Sequence, residues 1–329
     1  MQGPAFTLKK RVNTSFWFLC IFFVLINAVS APTIIWEIAA AFGLVSAQTY
    51  SAAAYYMNFI LPQFLYPILS FVIMLCAVRS LKCSLKSSLK TSDVPVFDTF
   101  LCLFSFMGLS IASSYVSYLL ELLLEAVGMP IPDMDLYIPL PGNVPETILF
   151  FVVIAVLPAI CEELIYRGIV LGLAKSFSPK TAIIISALAF GLIHGTVQQI
   201  PFAFLVGLLL GLFYILYDSI ALCMVLHFIN NFISCLFTVI EPRMRASSYE
   251  LLSNIFDIGF IALGVVSCFI LIILWKKRKN EAGNATLLPP AIVSGKEARK
   301  AVVTSPGFWV FIVAALAYTA LNIMLFALI

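Results

Sequence analysis

The chain has 329 residues, 62% of them hydrophobic and 11% charged, with a mean hydropathy of +1.08. A soluble domain does not carry that balance, so the sequence is that of an integral membrane protein. The net charge of +3 reflects basic loops flanking apolar segments and gives no ground for nucleic-acid binding.

A membrane-crossing helix needs ~20 apolar residues, because it must satisfy every backbone polar group within itself. That length predicts nine spans, near residues 14–34, 58–78, 98–120, 146–172, 181–199, 201–217, 219–240, 255–275 and 308–328. The expected fold is an all-α polytopic bundle of eight or nine spans. The first span follows Lys9, Lys10 and Arg11 and precedes a small-residue site, as in a signal peptide. Pro32 directly after that site disfavours cleavage, so an uncleaved anchor is expected. Residues 35–57 are semi-apolar and expected at the interface.

Charge tests the count. With the amino terminus placed in the cytoplasm, alternation puts 16 of the 19 Lys and Arg in cytoplasmic segments, Arg243 and Arg245 outside, and Arg167 within a span. A multi-pass protein of the plasma membrane is the resulting expectation. The eight cysteines have no CxxC spacing and read as small buried apolar side chains. "NAT" at 284–286 falls on the cytoplasmic side, where a glycosylation acceptor has no meaning.

Three regions are expected: amino-terminal helices over 1–140, a core with short connections over 141–240, and carboxy-terminal helices over 241–329. The polar stretch at about 276–307, rich in Lys, Pro, Gly and Ser, reads as a mobile cytoplasmic linker.

The 141–240 block gathers the ionisable groups. An ionised side chain at mid-bilayer costs ~2.5–3.5 kcal/mol on insertion scales, so such groups face one another or a wet cavity. Both histidines of the chain, His194 and His227, lie here with Glu162, Glu163, Arg167, Asn230 and Asn231. Glu163 and Arg167, at i and i+4, share a helix face and can pair. Glu162 points about 100° away, so one cavity is not expected to hold both carboxylates, and Glu162 is left for chemistry. His227 and Asn231, also i and i+4, present an imidazole and a carboxamide together, with Asn230 as a rival for the latter role. At 1.5 Å per residue, Glu162 and His194 lie ~20 Å, Asn231 ~18 Å and His227 ~12 Å from the basic ends of their spans. Pro158, four residues before Glu162, removes a backbone hydrogen bond and predicts a kink or water path. Phe190 and Cys161 read as packing.

Together, "EELIYR" (Glu162, Glu163, Arg167), "FGLIH" (Phe190, His194) and "HFINN" (His227, Asn231) resemble, in order and approximate spacing, the three signature motifs of the CAAX prenyl protease and bacteriocin-processing (CPBP, Abi) intramembrane proteases. These are relatives of the type II CAAX prenyl endopeptidase. The resemblance spans residues 158–240 and implies an intramembrane active site and an endopeptidase acting on a hydrophobic, lipidated or leader-peptide substrate. It implies that Glu162 and His194 hold and deprotonate water and that His227 and Asn231 stabilise the oxyanion. Glu163 and Arg167 take structural roles. No cofactor is then expected. Zinc held by Glu162, His194 and His227 is the alternative, although there is no HExxH and Asn231 is a poor zinc ligand. A transporter or proton relay, and a non-catalytic immunity protein, are the rivals from other classes. Entry of a peptide or protein substrate is expected from the cytoplasm or the inner leaflet of the bilayer.

Overall fold

The structure is a computed structural model that describes residues 3–29, 38–39, 42–46, 48–49, 56, 60–82, 84, 89–129, 140–281 and 288–326. Among them lie ten helices: α1 (Pro4–Val29), α2 (Leu61–Ser80), α3 (Val96–Ala126), α4 (Val144–Ala174), α5 (Pro179–Leu192), α6 (Gln199–Tyr217), α7 (Ile220–Ile240), α8 (Ala246–Glu281), α9 (Gly295–Val303) and α10 (Pro306–Phe326). The only extended pairing among the described residues is one bridge, Thr91 to Ser219. The protein is an all-α polytopic membrane bundle.

Seven helices are long and apolar enough to cross a membrane, while the apolar parts of α2 (Phe64–Ser80) and α5 (Pro179–Leu192) are shorter. This corrects the reading of 181–199 as a full span. The fourteen-residue helix α5 rises ~21 Å, against ~30 Å of hydrocarbon. It stops because Gly195 turns to φ +66°, a left-handed conformation that ends helices.

One apolar core runs through most of the bundle, from Leu8 and Phe16 on α1 to Phe311 and Ala315 on α10. Outside it, side chains such as Ile258 and Phe269 on α8 are 70% exposed, as expected of a surface meeting lipid tails. Helices α3 and α8 meet backbone to backbone at Gly108 and Gly264. A Cβ on Gly108 would lie 2.7 Å from the Phe260 carbonyl oxygen, so no larger residue fits.

The helix ends that charge alternation assigns to one side do lie together. Arg11 Nη1 donates to the Leu173 carbonyl at 3.0 Å. Lys90 and Lys175 clamp Asp218 at 2.5 and 2.6 Å. Arg278 and the Tyr217 hydroxyl both donate to Asp98, which begins α3.

Residues 276–307 depart from the linker expectation. The described part contains α9, started by a capping box between Ser294 and Glu297, with Ala298, Ala301 and Val302 buried. The Ile292 and Val293 N–H groups also donate to the Phe177 carbonyl. The small apolar residues in this polar stretch pin it to the bundle. The acceptor sequence at 284–286 and most of 35–57 lie outside the described residues. Four cysteines are buried and two half-buried, but Cys76 is exposed on the outside of α2; Cys83 is outside the described residues.

Candidate active site

Helix α4 is built unlike its neighbours. Asn143 caps it by accepting from the Glu146 N–H at 2.9 Å, and Pro145 sits in its first turn. Beyond Phe151 it widens twice into π-helical stretches, Val152–Val156 and Leu164–Leu171, with an α-helical turn between them, Leu157–Glu163. Such widenings are rare and collect at functional sites. Two residues beyond the first stands Pro158, which has no N–H to give. In the α register its acceptor would be the carbonyl of Ile154, four residues back. Asn231 Nδ2 on α7 donates to that carbonyl at 3.1 Å.

The two carboxylates between the widenings share one imidazole. Glu163 and Arg167 are fully buried and paired at 2.9 Å, as the i, i+4 spacing predicts. The same oxygen, Glu163 Oε1, lies 2.9 Å from His227 Nδ1. Glu163 Oε1 already accepts from Arg167, which can only donate, and with the same oxygen facing it His227 Nδ1 is assigned as a donor as well. His227 Nε2 then faces Glu162 Oε2 at 3.7 Å, longer than a hydrogen bond. Adjacent carboxylates do point apart on a helix. Both nevertheless reach one imidazole, because the ring of His227, lying across α4, has a nitrogen on each side.

The first carboxylate has a second neighbour, Tyr66, whose hydroxyl donates to Glu162 Oε1 at 3.4 Å. This residue lies 96 positions upstream on α2, is 8% exposed, and belongs to no motif read from the sequence. The available signal was weak: a tyrosine beside Pro67 on an apolar helix, where a hydroxyl needs a partner.

His194 lies in the turn after α5, half-buried, with Nδ1 2.7 Å from the Phe190 carbonyl oxygen. A carbonyl only accepts, so Nδ1 is the donor, and in the neutral ring Nε2 is then the acceptor. Phe190 joins the parts. Its ring centroid lies 5.1 Å from His194, 5.8 Å from His227 and 5.1 Å from Tyr166, and the Arg167 guanidinium stacks 4.7 Å above it. His194 thus reaches the group through a shared aromatic wall.

The asparagine doublet divides. Asn230 accepts from Ser110 on α3 and donates to Asn231 Oδ1 at 3.2 Å, while Asn231 reaches α4. Asn231 meets Ile154 and Asn230, and Glu162 meets His227 and Tyr66. Among the described residues, one N–H of the Asn231 carboxamide remains uncommitted. Glu163 Oε2, Arg167 Nε and the Tyr166 hydroxyl are buried without a partner among the described residues, a deficit that ordinary cores avoid.

A zinc site would need three donors around one point. Among the described residues, no group of three or more His, Cys, Asp or Glu side chains is arranged to hold a metal ion, and Glu163 already occupies one nitrogen of His227.

Residues 144–233 match the family described as type II CAAX prenyl endopeptidase Rce1-like. That stretch includes α4 to α6 and the part of α7 that carries His227 and Asn231. No curated protein and no solved structure matches the chain.

Proposed function

From the Rce1-like domain that this multi-pass membrane protein carries over residues 144–233, we propose that the chain is an intramembrane endopeptidase that hydrolyses a peptide bond in a hydrophobic, lipidated or leader-peptide substrate. The observation that carries the reading is His227, held by Glu163 through one nitrogen and turned toward Glu162 with the other.

In this mechanism Glu162 takes a proton from the attacking water, and the His194 Nε2 lone pair helps to orient that water. Attack on the scissile carbonyl builds negative charge on its oxygen. His227 Nε2–H and the remaining Asn231 N–H donate to that oxygen from neighbouring turns of α7. Glu163, paired with Arg167, supports the imidazolium that this requires, much as a buried carboxylate supports histidine in a hydrolase triad. The proton held by Glu162 then passes to the leaving amine, so the enzyme returns to its starting state. With its basic ends in the cytoplasm, the site would be entered from there or from the inner leaflet.

The test uses purified protein in lipid nanodiscs with an internally quenched peptide ending in a farnesylated CAAX sequence and its unprenylated counterpart. Cleavage of at least one peptide is expected, undiminished by a chelator, and lowered ~10²–10⁴-fold by Glu162→Gln. Full cleavage by Glu162→Gln sinks the mechanism. Loss of cleavage to a chelator, with one equivalent of zinc in the purified protein, replaces it with the zinc reading. Proton-coupled uptake into vesicles without cleavage of either peptide favours the transporter.

A further inference from the structure

The turn that carries His194 is gripped by a helix far outside the Rce1-like stretch. Asn322 on α10 donates from Nδ2 to the Gly195 carbonyl oxygen at 2.9 Å, across 127 residues of chain. The Tyr318 ring, one helical turn earlier on α10, lies so close to Gly195 that a Cβ there would run into it. Gly195 is therefore doubly required: its φ of +66° suits glycine, and its missing side chain admits the ring. The turn's other ties run within the hairpin, foremost the bond from His194 Nδ1 to the Phe190 carbonyl at 2.7 Å. His194 N–H and Gly195 N–H reach back to Gly191 and Leu192 at 3.2 and 3.3 Å, and Thr196 accepts from the Gln199 N–H at 3.2 Å. These are local bonds within the α5–α6 hairpin. The contact from α10 ties the turn to a different part of the bundle.

Helix α10 is itself anchored. Tyr318 packs edge-on against Phe23 of α1, with ring centroids 5.4 Å apart, and Phe311 meets both Phe16 and Phe23. Asn13 on α1 accepts from the Gly307 N–H at 2.9 Å. A part-buried carboxamide on a mostly apolar helix needs a partner, and Asn322 gives one N–H to a backbone carbonyl next to His194.

We propose that α10 is a positioning element for the site, with Asn322 and Tyr318 fixing the His194–Gly195 turn and thereby the direction in which the His194 imidazole points. The role of His194 in hydrolysis rests on the reading above; the placement of its ring by α10 does not. Asn322 and Tyr318 act through the turn and are positioning residues. Activity should respond through kcat, because a misdirected imidazole impairs the handling of water more than the binding of peptide.

The chain's two histidines make this measurable without turnover. Protein labelled with ¹³C and ¹⁵N at histidine, in nanodiscs, gives two imidazole signals, which a His227→Gln sample assigns. Asn322→Leu, which keeps the bulk and removes the donor, should shift or broaden the His194 signal and leave His227 in place. It should lower kcat about ten- to a hundredfold, with KM changed less than twofold. Tyr318→Ala should act in the same direction, whereas Tyr318→Phe, which keeps the ring, should be silent. Thr319→Ala is the control. Thr319 is buried on the same helix, but its hydroxyl donates to its own helix at Ala315, so this change should leave both signals and kcat alone.

An unmoved His194 signal in Asn322→Leu overturns the proposal, as does equal movement of both histidines or an equal effect of Thr319→Ala. If the wild type cleaves neither peptide, the endopeptidase reading fails while the two imidazole signals still decide the role of α10.

Discussion

Glu162 and Glu163 are neighbours in sequence with opposite surroundings. Glu163 is closed off, with its one engaged oxygen shared between Arg167 and His227, whereas Glu162 keeps partial exposure and, among the described residues, meets the Nε2 face of His227 and the hydroxyl of Tyr66. Their amides should therefore fail differently. Glu162→Gln is expected to lower cleavage ~10²–10⁴-fold with little change in Tm, since the carboxamide can still accept from Tyr66. Glu163→Gln leaves a buried guanidinium facing a neutral group. Breaking such a pair costs ~3–5 kcal/mol, so Tm should fall steeply, and residual activity should lose its support for the His227 imidazolium. Thermal unfolding and cleavage rates of the two variants, side by side, separate these roles; equal Tm values would contradict them. Tyr66→Phe tests the residue that no motif contains. A 3.4 Å bond is weak, so the expected loss is about three- to tenfold in kcat at unchanged KM.

The element that makes this site is a helix with its hydrogen-bond ladder broken and rebuilt. Pro158 is legible in the sequence as a kink, but the sequence does not say what happens to the carbonyl it leaves behind. In the structure Asn231 takes that carbonyl, so the same carboxamide that reads as an oxyanion donor also fastens α7 to α4. Pro158→Ala restores an N–H that competes with Asn231 for Ile154. Helix interiors gain up to ~3 kcal/mol from such a change, so Tm should hold or rise. Activity should drop about tenfold as the turn bearing Glu162 relaxes toward a regular helix. Unchanged kcat in this variant would show that the widened helix is incidental. The short helix α5 carries a related lesson. The span expected to reach residue 199 takes in His194, Gly195, Thr196, Gln198 and Gln199, and Gly195, tucked against Tyr318, lies where the chain turns before crossing.

For the whole molecule, the face bearing the basic loops is locked by Asp218, which sits outside the spans between α6 and α7 at φ +51°. Partial burial pushes its carboxyl up, but Lys175 and Lys90 outweigh this and hold it below the ordinary carboxylate value. A depressed folded-state value contributes stability that is present above the unfolded value and lost as pH falls through the folded one. The Tm advantage of wild type over Asp218→Asn should accordingly be full near neutrality and vanish on acidification through and below ~3.9. Asparagine tolerates the left-handed backbone, so strain does not cloud the comparison. A Tm difference that persists undiminished in acid would assign the effect to packing. The linear sequence determined the membrane class, the helix order, the shared side of the basic ends and the Glu163–Arg167 pair, because hydropathy, charge alternation and helical spacing are local properties of the chain. It also marked most of the polar cluster, since ionisable groups inside apolar runs announce themselves. What only the tertiary structure decided is which groups meet: His227 between two carboxylates, Tyr66 beside Glu162, Asn231 on the Ile154 carbonyl, and α10 against the His194 turn. Each of these joins residues scores of positions apart, and such contacts are set by how helices pack rather than by any period within one of them.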